Sequence, residues 1–318
     1  MSATLTALKP RMSSEASCAD ATQRIAALAN GWSLEATLPN DSEVSLLQTI
    51  VPPPLQVYLG AVPTRDPAEQ IAAAVRLHRA GFAPVPHVAV RNFAGTEALD
   101  AFLGTMAGDA GVRRVLVIAG DRDQPAGPFR SAVEAIDSGV MQRHGISKID
   151  IAGYPAGHPR IPQHELDRAL AEKIEIADQI GVAVEIVTQF CFEPEPIIAW
   201  IARLRDFGID NPVRIGLAGP TNIATLLRYA RRCGVRASAQ GLARQSGLAR
   251  QIFGMSAPDT IVRALAEAHA RDYLGAIALH FYSFGGIVTT ARWARAVRAG
   301  RIMPDATGGF QVAPPLSS

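Results

Sequence analysis

The sequence predicts a single-domain α/β fold, a (β/α)8 TIM barrel, and three observations carry that reading. Eight short β-rich apolar runs recur along the 318 residues, helical patterns fill most of the intervals between them, and the runs are apolar almost throughout, not alternating. Strands of that kind, each followed by a helix, belong to a parallel sheet covered by helices. Doubly wound sheets and closed barrels both satisfy this, and eight units favour the closed barrel, whose chemistry sits on the loops at the C-terminal strand ends. A chain of 318 residues fits, since such barrels use about 250 residues or more.

In order, the runs are 32–37, 56–61, 85–90, 114–119, 148–153, 183–189, 213–217 and 276–282. The connector 67–80 opens on Pro67, suited to a first helical turn, places Ile71, Val75 and His78 on one face, and can be closed by Gly81. The connector 164–180 repeats Leu166, Leu170, Ile174 and Ala177 at helical spacing, with Gly181 just before the next run. The barrel is expected over 19–303, after a flexible N-terminal segment 1–18 and before an irregular tail 304–318 containing Gly308, Gly309, Pro314 and Pro315. The tandem Gly-Leu-Ala-Arg-Gln at 241–245 and 247–251, split by Ser246, reads as a local duplication; its period is far below the roughly 20 residues of a solenoid repeat.

Composition narrows the function. With 48% hydrophobic and 19% charged residues the chain can build a large core, which excludes disorder and small stapled scaffolds. Lys+Arg 31 against Asp+Glu 29 gives +2 with no long basic run, so nucleic acid is not an expected partner. Cys18, Cys191 and Cys233 show no C-x-x-C spacing, which argues against a disulfide framework or thiolate zinc site and fits a reducing cytoplasm. Segment 1–18 has no apolar stretch of signal-peptide type, and no run approaches the ~20 apolar residues of a membrane span.

The sequence contains no G-x-G-x-x-G after a strand, no P-loop, no H-E-x-x-H and no G-x-S-x-G elbow. What remains are polar residues at strand exits: Glu35, His87, Asp121, Tyr154, His158, Gln189 and His280-Phe281-Tyr282. Alternation sets Glu35 opposite Leu34 and Ala36, so it is either a solvated or arginine-paired carboxylate or, inside a barrel, a lumenal acid kept protonated by desolvation. Asp121, after Gly120, is a loop or cap residue or a catalytic one. His87 and His158 read as core or loop histidines or as site residues. Pro159 and Pro162 between His158 and His164 rule out a ligand pair on one helix, so no catalytic metal is expected. Gln189 is a buried amide bonded to backbone or a bidentate partner for a heterocycle edge.

Over 32–298 these strand ends resemble the methylenetetrahydrofolate reductase family. The motifs are Ile118-Ala-Gly-Asp121, Ala152-Gly-Tyr-Pro-Ala-Gly-His-Pro159, Val187-Thr-Gln-Phe-Cys-Phe192 and His280-Phe-Tyr-Ser283. The resemblance implies a barrel oxidoreductase of one-carbon metabolism in which FAD passes hydride from NAD(P)H to 5,10-methylenetetrahydrofolate, giving 5-methyltetrahydrofolate. It implies that Glu35 protonates the folate to open its five-membered ring. Asp121 would lie near pterin and flavin, and Gln189 would bond the pterin. Tyr229 would cover the stacked heterocycle, and Thr225 would stand where a pterin-binding glutamine is usual. Flavin contacts fall on Tyr58, His87, Asp121, Tyr154, His158, Asp167 and Lys173.

Several positions depart from the family pattern. Ala119 replaces an arginine before Gly-Asp, and Arg91, after His87-Val-Ala-Val90, is a candidate replacement cation. Tyr58 replaces a smaller hydroxyl residue, and Gly216-Leu-Ala-Gly-Pro220 differs from the usual Pro-Gly-Ile-x-Pro. Two rival readings follow: a flavin-free reductase with direct hydride transfer, and a non-catalytic folate-binding subunit. Direction of reaction and choice of NADH or NADPH stay open. The arginine-rich stretch 292–301 suits solvated surface or the contacts of a homo-oligomer.

Overall fold

The eight runs become β1 (Ser33–Ala36), β2 (Gln56–Leu59), β3 (Ala83–Ala89), β4 (Arg114–Ile118), β5 (Lys148–Gly153), β6 (Ala183–Thr188), β7 (Val213–Ala218) and, after the short antiparallel pair β8 (Thr221–Asn222) and β9 (Met255–Ser256), β10 (Ile277–Tyr282). They close in the order β1-β10-β7-β6-β5-β4-β3-β2, with parallel pairing throughout. The computed structural model describes residues 14–235 and 255–313. The tandem repeat at 241–251 lies outside those residues.

Eleven helices are described: α1 (Ser14–Leu28), α2 (Asp41–Ile50), α3 (Pro67–Arg79), α4 (Thr96–Asp109), α5 (Ala132–Asp137), α6 (Val140–Arg143), α7 (Gln163–Gln179), α8 (Pro194–Asp206), α9 (Ile223–Arg232), α10 (Asp259–His269) and α11 (Ile287–Arg298). Local chemistry starts them where the sequence does. Asn40 Oδ1 accepts from the Glu43 amide at 3.0 Å while Glu43 Oε2 accepts from the Asn40 amide at 3.0 Å, a reciprocal cap for α2. Asp66 caps α3 ahead of Pro67, and Gly81, at φ +83°, turns the chain into β3. The expected α7 is present, ended by Gly181 at φ +70°.

Alternation along each strand then divides the molecule. Leu34, Ala36, Val57, Leu59, Val115, Val117, Ile149, Ile151, Ile215 and Leu217 are buried in the main core, in the layer under the helices. The intervening residues face the lumen, where Tyr58, Val85, Leu116 and Val187 form a small separate cluster. Below it the lumen is charged. Arg114 grips Asp150 with Nη2–Oδ1 and Nε–Oδ2 both at 2.7 Å, and Tyr58 donates its hydroxyl to Asp150 Oδ2 at 2.7 Å. Glu185 is paired with Arg114, with Lys148 at 3.0 Å and with Arg214 at 3.2 Å. Two of these contacts, Tyr58 to Asp150 (β2 to β5) and Arg114 to Glu185 (β4 to β6), join strands that are not neighbours and so tie the barrel across its axis, while the others link adjacent strands.

The C-terminal region differs from the irregular tail expected over 304–318. β11 (Ile302–Pro304) pairs antiparallel with β12 (Phe310–Val312), and Asp305 Oδ1 accepts from the amides of Thr307 and Gly309 to close the turn, where Gly308 adopts φ +86°. Phe310 stacks on Trp293 with ring centroids 5.8 Å apart, which holds the hairpin on α11. At the other end α1 begins at Ser14, inside the segment expected to be flexible, because Ile25, Leu28 and Ala29 bury into the helix layer.

Glu185 sits among three cations, Arg114, Lys148 and Arg214, and shares only Arg114 with Asp150 among the described residues. Burial pushes its carboxyl up, but Arg214, Arg114 and Lys148 outweigh this and hold its pKa down at about 2. The folded value lies below the ordinary 4.5, so the stability it adds is complete above about pH 4.5 and is lost as pH falls toward about 2. Glu185→Gln should cost about 3–5 kcal/mol in urea unfolding at pH 7, with the difference from the parent shrinking through that acid window.

Candidate active site

The C-terminal strand ends gather most of the candidate residues around one mouth. Glu35, on β1, points into the lumen with Oε2 at 3.3 Å from His87 Nε2 on β3 and 3.5 Å from His280 Nε2 on β10. Behind His280, Nδ1 meets Ser33 Oγ at 2.9 Å, and the Tyr58 ring packs edge-on at 4.6 Å between centroids. Ser283 donates its hydroxyl to the Glu35 carbonyl. Glu35 and His87 side chains keep 18% and 11% of their surface open, whereas His280 is fully enclosed, so the cluster is reached only from the mouth.

The electrostatics correct one expectation. Burial pushes the Glu35 carboxyl up, as the sequence reading assumed, but the two imidazoles more than offset it and hold the pKa at about 2. Glu35 is therefore an anion in the free site. Burial lowers the pKa of His280, and its bond to Glu35 works in the opposite direction.

Facing Glu35 is a second group of side chains. A narrow cleft is lined by Tyr154, His158, Gln189, Phe190, Cys191 and Cys233. Tyr154 and His158 meet edge to face with centroids 5.3 Å apart. Asp121, exposed in the loop after β4, raises the Tyr154 pKa together with burial. Burial pushes the Cys233 thiol up to about 11, and the charges of Glu35 and Asp121 both add to this. The charges of both carboxylates thus reach the Cys233 thiol in the wall of the cleft. Gln189 uses Oε1 to accept from the Phe190 amide at 3.1 Å, and its Nε2 makes no hydrogen bond among the described residues.

Above the cleft, α9 carries Thr225 and Tyr229 one turn apart, on the same helical side. Asn222 Oδ1 accepts from the Thr225 amide at 2.8 Å and starts the helix. Tyr229 lies nearly parallel to Phe284, at 4.1 Å and 12°, and Phe284 lies over Tyr282 at 5.7 Å and 21°. The result is a shelf of flat aromatic faces. Tyr282 donates its hydroxyl to Thr188 O at 3.1 Å.

Other candidates stand apart. Tyr58, expected to touch a flavin, is fully buried with its hydroxyl committed to Asp150, so it has no exposed atom to offer at the mouth. Asp167, on α7, is half exposed and bonds Gln163 at 2.8 Å and Arg203 at 3.3 Å. Lys173, two turns further, is buried with no ion pair among the described residues, and burial lowers its pKa to about 8. Arg91 keeps its charge beside Ala119, but Nε and Nη1 are committed to the carbonyls of Arg130, at 2.7 Å, and Arg122, at 3.3 Å. Sequence reasoning missed Ser33, Phe284 and the lumenal ions. The available signal for the ions was a charge at an inward position of an otherwise apolar strand, as at Arg114, Asp150, Glu185 and Arg214. Among the described residues no group of three or more His, Cys, Asp or Glu side chains is placed to hold a metal ion.

A parallel barrel with a carboxylate–imidazole cluster and a cleft of aromatic and amide groups at its C-terminal mouth is of the barrel-enzyme class, whose chemistry sits on that face. The methylenetetrahydrofolate reductase family profile matches residues 42–272, and the chain belongs to that family and is an oxidoreductase of its type. The 5,10-methylenetetrahydrofolate reductase of Pectobacterium carotovorum is 25% identical over 250 residues, 76% of this chain and 78% of that one. The Salmonella typhimurium enzyme of the same name is 24% identical over 261 residues, covering 79% and 81%. A Clostridium thermocellum protein that binds two copies of 5-methyl-5,6,7,8-tetrahydrofolic acid superposes with a TM-score of 0.54 at 11% identity, over 87% of this chain and 98% of that one, which shows the common fold.

Replacing both His87 and His280 by asparagine should raise the Glu35 pKa from about 2 to above 4.5, since burial then acts unopposed. A pH titration followed by carbon NMR on glutamate labelled at the carboxyl carbon reads this directly, with Glu35→Gln giving the assignment.

Proposed function

We propose that the protein interconverts 5,10-methylenetetrahydrofolate and 5-methyltetrahydrofolate in the cytoplasm, using NAD(P)H and bound FAD. What supports the reading is Glu35, a carboxylate at the mouth held between two imidazoles, whose charge and that of Asp121 both reach Cys233 in the cleft that Gln189 also lines. The residues fit a flavin in part. Tyr154 and His158 offer ring edges and donors at the cleft and His87 does so beside Glu35, whereas Lys173 is buried on α7, with the Glu172 charge acting on it. When bound, FAD carries hydride between the nicotinamide and the folate carbon.

The chain's own residues supply the rest. Reduction of the methylene group consumes one hydride and one proton, and the proton has to reach a folate nitrogen to open the five-membered ring. Glu35 is the donor, and because it is anionic in the free site, it must take up that proton as substrate binds. A planar ring seated over the mouth excludes water from Glu35, which favours its neutral form. His280, fixed through Nδ1 by Ser33, keeps Glu35 aimed at the opening. Gln189 Nε2 is free to donate to the pterin edge, and the Tyr229–Phe284 shelf offers a flat apolar face to it. Asp121 sets a negative charge beside the ring system, where it opposes build-up of further negative charge.

A flavin-free variant of this reaction, with hydride passing directly from nicotinamide to folate, is favoured by one observation: Ala119 supplies no cation, and Nε and Nη1 of Arg91 are committed to loop carbonyls. The absorbance spectrum of purified protein separates the two, a yellow active enzyme supporting FAD and a colourless active one the direct route. A colourless folate binder without turnover defeats both. In the flavin case, Glu35→Gln should lower the folate half-reaction by about 100-fold or more, the order expected for a general acid, while leaving flavin reduction by NAD(P)H near the parent rate. Equal loss in both half-reactions sinks the acid role.

A further inference from the structure

Asp121 makes no hydrogen bond or ion pair among the described residues, so its carboxylate is placed by its backbone alone. That backbone is a loop, running from Ala119 at the end of β4 to Ser131 at the start of α5, and a neighbouring strand end grips it from both sides. Arg91 lies in the short turn that ends β3. Its amide donates to Ala119 O at 3.0 Å, two residues before Asp121. Its carbonyl accepts from the Ala126 amide at 2.8 Å, and its guanidinium donates from Nη1 to Arg122 O at 3.3 Å and from Nε to Arg130 O at 2.7 Å.

Four bonds from one residue therefore bracket Asp121. The loop has little room to settle elsewhere. Gly120 takes φ +92° with a Cβ position only 3.0 Å from Ala89 Cβ, and a Cβ on Gly127 would lie 2.4 Å from Ala94 O. The loop is thus pressed flat on the chain that leaves β3, where Arg91 bolts it, while Arg160 Nη1 donates to the exposed Asp123 Oδ1 at 3.0 Å. The planar fork matters, because two nitrogens of one rigid group reach carbonyls eight residues apart in the loop, which a single ammonium cannot do.

We propose that Arg91 is the positioning residue for Asp121, clamping the β4–α5 loop so that the carboxylate stands at the mouth opposite Glu35. The functional half of this rests on the reading of Asp121 given above; the clamp itself does not. A test therefore needs one arm without substrate. In hydrogen exchange followed by mass spectrometry, Arg91→Met should speed exchange of the 121–130 amides by about 10-fold or more, the order expected when hydrogen bonds from a charged donor are lost, while β5 and β6 peptides keep parent rates. Arg91→Lys should recover only part of the protection.

The second arm is a double-mutant cycle on kcat/KM for the folate substrate. Arg91→Met should lower it in the parent background and have little further effect once Asp121→Asn is present. A merely structural role would lower activity equally in both backgrounds. Unchanged exchange in the loop, or a loss that persists with Asp121→Asn, overturns the proposal. If the parent protein turns over no folate at all, the functional reading fails on its own, and the exchange arm still decides the clamp.

Discussion

Closing eight parallel strands into a barrel sends every second side chain into a space that helices cannot cover and water enters only at the ends. The rest of the molecule depends on how that space is filled. In this chain the lower lumen holds Arg114, Lys148 and Arg214 against Asp150 and Glu185, with the Tyr58 hydroxyl completing the set. Charges so far from water are tolerated because each has a partner, and the partners lie on different strands. The same bonds that neutralise the lumen also fix the strands around it.

That floor determines what the mouth can be. Tyr58 is pinned by Asp150, and its ring supports His280, which is also held by Ser33. His280 and His87 then converge on a single oxygen of Glu35. A carboxylate in that position feels two opposed influences: burial favours its neutral form and the imidazoles favour its charged form. The imidazoles win while water still reaches the mouth. In the proposed mechanism, covering the mouth shifts the balance, and the acid is assembled by substrate binding.

The opposite wall is built on different principles. Glu35 is rigid because strands and buried rings hold it, but Asp121 is carried by a loop and depends on Arg91 to stay in place. One carboxylate is thus held by the scaffold and the other by a clamped loop, with Tyr229 and Phe284 stacked nearby.

Much of this was legible in the chain itself. Apolar runs bounded by glycines located every barrel strand within a few residues, since strand length and helix punctuation are local properties. The strand-exit rule alone put Glu35, His87, Asp121, Tyr154, His158 and Gln189 in one region. Three things were decided only in three dimensions. The ionisation of Glu35 depends on His280, 245 residues away, and no local pattern reports a charge that distant. Tyr58 turned inward because Asp150, on a strand across the lumen, accepts its hydroxyl. Arg91, whose sequence position suggested a free cation, was taken by loop carbonyls that only the fold brings within reach. Residue type and spacing determine which groups can line a barrel; which of them meet, and in what charge state, follows from closure, because closure alone makes distant residues neighbours.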